Sequence, residues 1–321
     1  MSDASFWARK RVLVSGGAGF LGTHVVCALK ALGCRDVVVV RRRDYDLRRE
    51  EAVQRVFEVC RPDVVFHLAG LVGGILPNKK RPAEFFYTNL MVGTLMLHYA
   101  WKYRVAKFVA AGAGCGYPKD APIPLKEESF WDGFPQAESA PYSLAKRMLH
   151  VQSLAYRQQY GLDSIICVPG NVYGEYDNFN LQDAHVIPAL VRKFVDAVEC
   201  RAKSVEIWGT GAATRDFVYA GEVATGMIRA AETYSEDSII NLSSGVETSI
   251  AQVVAHLKEI TGFAGVIVWN PTRPDGQMRR CFDVTKARSE LGFEATCDIR
   301  TGLERTVAWY REHRNDPELR R

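Results

Sequence analysis

Short runs of consecutive apolar, mostly β-branched residues alternate along the first half of the chain with longer stretches whose apolar positions recur at helical spacing. Arg11–Ser15 (RVLVS), Asp36–Val40 (DVVVV), residues 63–68 (DVVFHL), 108–111 (FVAA) and 164–168 (SIICV) read as strands. Continuous rather than alternating hydrophobicity implies burial on both faces, as in a parallel sheet between helical layers. Helices are predicted over residues 22–32, 82–103 and 142–160. Pro141 stands where the last of these can start, and Gly161 where it can end. Right-handed crossovers between such units give an α/β fold, a Rossmann doubly wound parallel sheet.

Past Pro169 the texture changes. Residues 170–214 are rich in Asn, Asp and Gly and then yield one helix at 186–200. A buried strand at 238–242, a helix at 250–261 and another near 301–313 follow. No linker, repeat or low-complexity tract interrupts the chain. The expected organisation is a Rossmann domain of residues 1–170 with roughly 215–245, and a smaller α/β carboxy-terminal substrate domain of residues 171–214 and 246–321.

Composition narrows the classes. The 321 residues are 47% hydrophobic and 24% charged, ordinary for a globular chain that buries a full core. The formal charge of +4 is spread among 37 acidic residues, which suits an anionic small molecule and gives no reason to invoke nucleic acid. Eight cysteines at irregular spacing, with no C-x-x-C pair, imply free thiols and no metal. Neither a signal peptide nor a membrane span is expected, and the cytoplasm is the expected compartment.

Two constellations carry chemistry. Gly16-Gly17-Ala18-Gly19-Phe20-Leu21-Gly22 joins the first strand to the first helix. Gly16 permits a tight turn, Gly19 lets backbone approach a pyrophosphate, and Gly22 allows close helix packing. The helix start then offers free N–H groups to phosphate. Arg41, Arg42 and Arg43 follow the second strand, where an acidic residue would bind a ribose hydroxyl of NAD. Guanidinium forks suit a 2′-phosphate instead, which favours NADP(H) over NAD(H). Asp46, just beyond, is placed beside the adenine. Tyr142 and Lys146 stand four apart at a helix start, hence on one face. Lysine's charge is expected to lower the tyrosine pKa, so that the pair exchanges a proton with a sugar oxygen.

The glycine loop, His67-Leu68-Ala69, Asn89 and Tyr142-x-x-x-Lys146 together resemble the extended short-chain dehydrogenase/reductase superfamily. Further segments narrow the likeness to its GDP-L-fucose synthase family, the GDP-4-keto-6-deoxymannose epimerase-reductases. They are VGGI at 72–75, GCGYPK at 114–119, PGNVYGEYDNF at 169–179, HVIPALVRKF at 185–194, IWGTG and TRDFVY around Trp208 and Arg215, and RPDGQMRR at 273–280. The resemblance implies a GDP-linked 4-keto sugar as substrate, with Cys115 and His185 as epimerisation base and acid. A 4-keto group acidifies the hydrogens at C3 and C5; a thiolate can remove one and an imidazolium return it. Leu68, Ala69, Asn89, Pro169 and Asn171 would line the cofactor. Asn171, Arg192, Trp208, Arg215 and Arg279 would hold the nucleotide sugar. A homodimer through the helices at 82–103 and 142–160 is expected by the same analogy.

One departure matters. Reductases of this kind place a Ser or Thr hydroxyl where this chain has Ala113, beside Gly114. Losing one preorganised donor to a developing oxyanion costs about 2.7–4 kcal/mol. Ser143 points off another helix face. An epimerase without net reduction is therefore the alternative, and a non-catalytic NADP-binding partner protein a third. The Thr-Asp-Glu run of the related 4,6-dehydratases is absent, which removes their proton donor.

Overall fold

The structure is a computed structural model that describes residues 4–316 and 319, except Pro274, which falls within the 273–280 segment. In chain order the strands are β1 Arg11–Ser15, β2 Asp36–Val40, β3 Val64–His67, β4 Lys107–Ala111, β5 Ser164–Pro169, β6 Asn171–Tyr173, β7 Ser204–Trp208, β8 Thr214–Tyr219, β9 Ile240–Leu242, β10 Glu247–Ser249 and β11 Val266–Asn270. The helices are α1 Ala4–Ala8, α2 Phe20–Ala31, α3 Glu50–Cys60, α4 Ile75–Lys80, α5 Pro82–Lys102, α6 Ala140–Tyr160, α7 Val186–Glu199, α8 Ala220–Thr233, α9 Ile250–Thr261, α10 Thr285–Leu291 and α11 Ile299–His313.

Six parallel strands form the main sheet in the order β2-β1-β3-β4-β5-β9. Its apolar strands are buried on both faces. One face packs on α3, α5 and α6 through Phe57, Met96, Tyr99 and Leu149. The other packs on α2 and α8 through Val25, Leu29, Val223 and Met227. A separate core gathers Phe194, Leu257, Leu303 and Tyr310 from α7, α9 and α11. β6, β8 and β10 make one small sheet, and β7 with β11 another. The main sheet reverses direction of growth between β1 and β3, so the crevice beyond their carboxyl ends is the place for a ligand.

Local signals set the helix ends. Pro141 sits in the first turn of α6, and Gly161 closes it at φ 71°, a left-handed conformation that glycine adopts without strain. A capping box of Ser249 and Gln252 opens α9. α2 begins at Phe20, two residues earlier than its periodicity predicts, because Gly19 is the last extended residue. α3 and α8 were not among the predicted helices.

Candidate active site

β1 passes into α2 through the glycine turn. Gly16 has φ 76°, and a Cβ there would lie 2.7 Å from the Ala69 amide nitrogen. Leu68 and Ala69, just past β3, thus run directly against the turn. A Cβ on Gly22 would stand 2.0 Å from the Gly16 oxygen. Gly22 therefore lets α2 close onto the turn itself rather than onto the sheet. Phe20, Leu21 and Gly22 supply the first-turn amides, which have no intrahelical acceptor. This cradle fits a pyrophosphate.

Next to it, Gly16, Gly19 and Val40 with Arg41, Arg42 and Arg43 line a cavity of about 500 Å³. The three arginines are exposed. Asp46 is engaged within its own loop. It binds Arg48 Nε and Nη2 at 2.8 and 2.7 Å, and those bonds take its pKa down to about 2. Its carboxylate shapes the loop rather than standing free for an adenine. Asn89 is also engaged. Its amide donates to the Leu71 and Phe85 carbonyls at 3.0 and 2.7 Å and accepts from the Leu71 amide at 3.1 Å. It fixes the segment after β3, with no donor left over.

At the carboxyl end of β4 the catalytic candidates converge. Lys146 is buried, and its Nζ donates to the Ala111 carbonyl at 3.0 Å. Burial pushes its pKa down to about 8. The Tyr142 ring meets Phe85 edge-on at 6.3 Å. Burial, with Cys115 nearby, holds the phenol above its ordinary pKa. The lowering expected from Lys146 is not found: desolvation and then Cys115 raise the phenol, and Tyr142 rests in its protonated, donor form. His67 shares Nδ1 with Ser15 Oγ at 2.8 Å and is driven to about 3 by burial and then by Lys146, so it stays neutral.

Cys115 is half-buried in the 3-10 turn Gly114–Gly116, within electrostatic reach of Tyr142, Lys146 and Arg280. Ala113 precedes it, buried and extended. A Cβ on Gly114 would come within 2.6 Å of Phe282 Cζ, so an aromatic ring fills the space beside it. Ser143 is buried, its hydroxyl 3.5 Å from Ser139 Oγ. His185 caps the start of α7 in extended conformation. It is open to solvent, yet the protein around it lowers its pKa by desolvation. Its resting form at neutral pH is imidazole, not the imidazolium expected from sequence. A Cβ on Gly74 would lie 3.6 Å from the Ala184 carbonyl, which brings the His185 loop against the turn that follows β3.

Arginines mark the far wall. Arg215 on β8 donates to the Thr214 carbonyl at 2.7 Å, and burial, with Arg280 beside it, takes its pKa to about 10. Arg280 donates Nε and Nη2 to Gln277 Oε1 at 3.1 and 2.7 Å. Burial lowers its pKa too. Among the described residues neither arginine has a carboxylate within ion-pair distance. Arg279, the arginine expected here, turns outward and forks onto Glu247, with Nε–Oε2 at 3.1 Å. Successive side chains of an extended segment point to opposite sides, and Arg280 takes the inner one. Arg192 donates to the Phe179 carbonyl at 3.2 Å and pairs with Asp196 at 3.4 Å. Trp208, at the end of β7, is exposed between the cations of Arg273 and Lys193, 5.0 and 5.6 Å from its ring centre. Asn171, two residues past Pro169 at the end of β5, donates to the Asp216 carbonyl at 3.2 Å.

A switch-point crevice with a pyrophosphate cradle beside a Tyr–Lys pair defines a nucleotide-dependent enzyme of the short-chain dehydrogenase/reductase type, and residues 12–243 match the NAD dependent epimerase/dehydratase family. The chain belongs to that family. It is 34% identical to GDP-L-fucose synthase 1 of Arabidopsis thaliana over 97% of this chain and 94% of the relative. Among solved structures, a GDP-L-fucose synthetase from Naegleria fowleri bound to NADP superposes with TM-score 0.90 at 27% identity, covering 98% and 96% of the two chains. A GDP-6-OMe-4-keto-L-xylo-heptose reductase from C. jejuni gives TM-score 0.89 at 30% identity, covering 95% and 99%.

Proposed function

We propose that this chain is an NADP(H)-dependent epimerase/reductase acting on a GDP-linked 4-keto sugar. The observation that carries the reading is the convergence of Tyr142, Lys146 and Cys115 with two half-buried arginines, Arg215 and Arg280, that have no carboxylate within ion-pair distance among the described residues. A nucleoside diphosphate supplies the missing negative charge. Relatives named for GDP-sugar synthesis and a neighbour holding NADP support both ligands. Residues 1–170 with roughly 215–245 form the NADP-binding part, and 171–214 with 246–321 the nucleotide-sugar part.

In this reading bound NADPH supplies hydride. Tyr142 gives its proton to the sugar O4 as charge develops there, which its protonated resting state permits. Lys146, held by the Ala111 carbonyl, places a positive charge below the reacting centre. Cys115 and His185 move protons at C3 and C5. Imidazole must first take up a proton before it acts as the acid. Ala113 contributes no donor to O4.

The test is NADPH oxidation with a GDP-4-keto-6-deoxyhexose, followed by absorbance. No loss at high enzyme concentration sinks net reduction. Ala113 favours a second reading in that event, an epimerase without net redox, which predicts solvent deuterium at C3 or C5 that Cys115→Ser abolishes. The protein acts as a homodimer through α5 and α6, whose outer faces leave Phe86, Tyr87, Met148 and Val151 exposed. It works in the cytoplasm, where its unpaired cysteines would stay reduced.

A further inference from the structure

Asp216 on β8 is fully buried, and no Lys, Arg or His pairs with its carboxylate among the described residues. Oδ1 accepts the Ser244 amide at 3.0 Å and the Ser244 hydroxyl. Oδ2 accepts the amides of Gly245 and Phe282, each at 3.1 Å. The Asp216 amide donates to the Arg280 carbonyl at 2.9 Å, and its own carbonyl receives Asn171 Nδ2. Burying a charge against dipoles alone is costly, and only charge-assisted hydrogen bonds offset it.

The expense falls where two separate segments, β8 and residues 280–282, deliver groups to the cleft. Arg215 is the residue before Asp216. Arg280 is bonded to its main chain. Phe282, whose amide Asp216 holds, carries the ring packed beneath Gly114, next to Cys115. Arg215 and Arg280 repel each other, so their spacing needs a scaffold that acts through the backbone rather than through their side chains.

We propose that Asp216 is a positioning residue that sets the separation of Arg215 and Arg280 for a nucleoside diphosphate and, through Phe282, seats the Cys115 turn. This rests on the GDP-sugar reading above.

Thermal melting of wild type and Asp216→Asn, each with GDP and with NADPH, tests it. Asn keeps the size but opposes an NH₂ to the amides of Gly245 or Ser244. The expected variant retains the NADPH-induced rise in Tm and loses most of the GDP-induced rise. Its KM for the GDP-sugar increases about tenfold or more, equivalent to about 1.4 kcal/mol, while kcat falls less. On an Arg280→Ala background, Asp216→Asn adds little further, because the two share one effect. Loss of both ligand responses together, or retention of both, overturns the proposal. A wild type that ignores GDP overturns instead the nucleotide reading beneath it. If Asp216→Asn does not fold, Ser244→Ala removes one Oδ1 partner and is read the same way: weakened GDP response with NADPH response kept supports positioning, and any other pattern refutes it.

Discussion

In the proposed reaction, Ala113 and Lys146 set how fast a ketone is reduced. With no hydroxyl at residue 113, O4 in the proposed reaction would receive its proton from Tyr142 without a second side-chain donor from the segment just past β4. Ala113→Ser restores that donor, and NADPH oxidation should rise by about a hundredfold to a thousandfold, as one oxyanion contact is worth about 2.7–4 kcal/mol; an unchanged steady-state rate would show that Ala113 is not limiting. Lys146 sets a pH limit. Its ammonium is lost as pH passes about 8, so NADPH affinity and turnover should both decline above that pH, measurable by fluorescence titration and initial rates. Stability runs the other way. A lysine whose folded pKa is depressed penalises the native state while it is charged, and the penalty is relieved as pH rises from about 8 toward its unfolded value of about 10.4. The i, i+4 spacing of Tyr142 and Lys146 was legible in the sequence. The sense of the tyrosine shift was not, because it depends on how much protein surrounds the phenol.

At the scale of elements, the glycine turn and the β-branched runs announced the main sheet because both act locally: a turn at φ 76° demands glycine, and doubly covered strands demand unbroken hydrophobicity. α8 escaped because many of its buried positions are small, among them Ala224, Gly226, Ala230 and Ala231, which give little hydropathic contrast. The arginine pair at 279–280 shows the limit of motif matching. Both stand in the same segment, and only the direction of an extended backbone decides which faces the cleft. Arg280→Ala should raise KM for the GDP-sugar tenfold or more, at about 1.4 kcal/mol per decade. Arg279→Ala should change it little, because its exposed pair with Glu247 is screened by solvent. Steady-state kinetics of the two variants, side by side, would expose a reversal.

For the whole molecule, α5 and α6 pack along each other on one face of the sheet while presenting apolar side chains outward. Light scattering should give twice the chain mass, and Tyr87→Glu with Val151→Glu should give the monomer; a wild-type monomer at assay concentration would remove the dimer. The sequence could place these helices but not say which apolar stripe meets the sheet and which is left over, since both repeat at similar spacing. The Arg215–Arg280 wall has a practical corollary for anyone assaying the enzyme. If the two half-buried guanidinium groups hold the diphosphate as proposed, other multivalent anions compete for them, so phosphate, sulfate or citrate buffers should act as competitive inhibitors. Kinetic constants taken in such buffers will describe the displacement of a buffer ion as much as the capture of a sugar nucleotide.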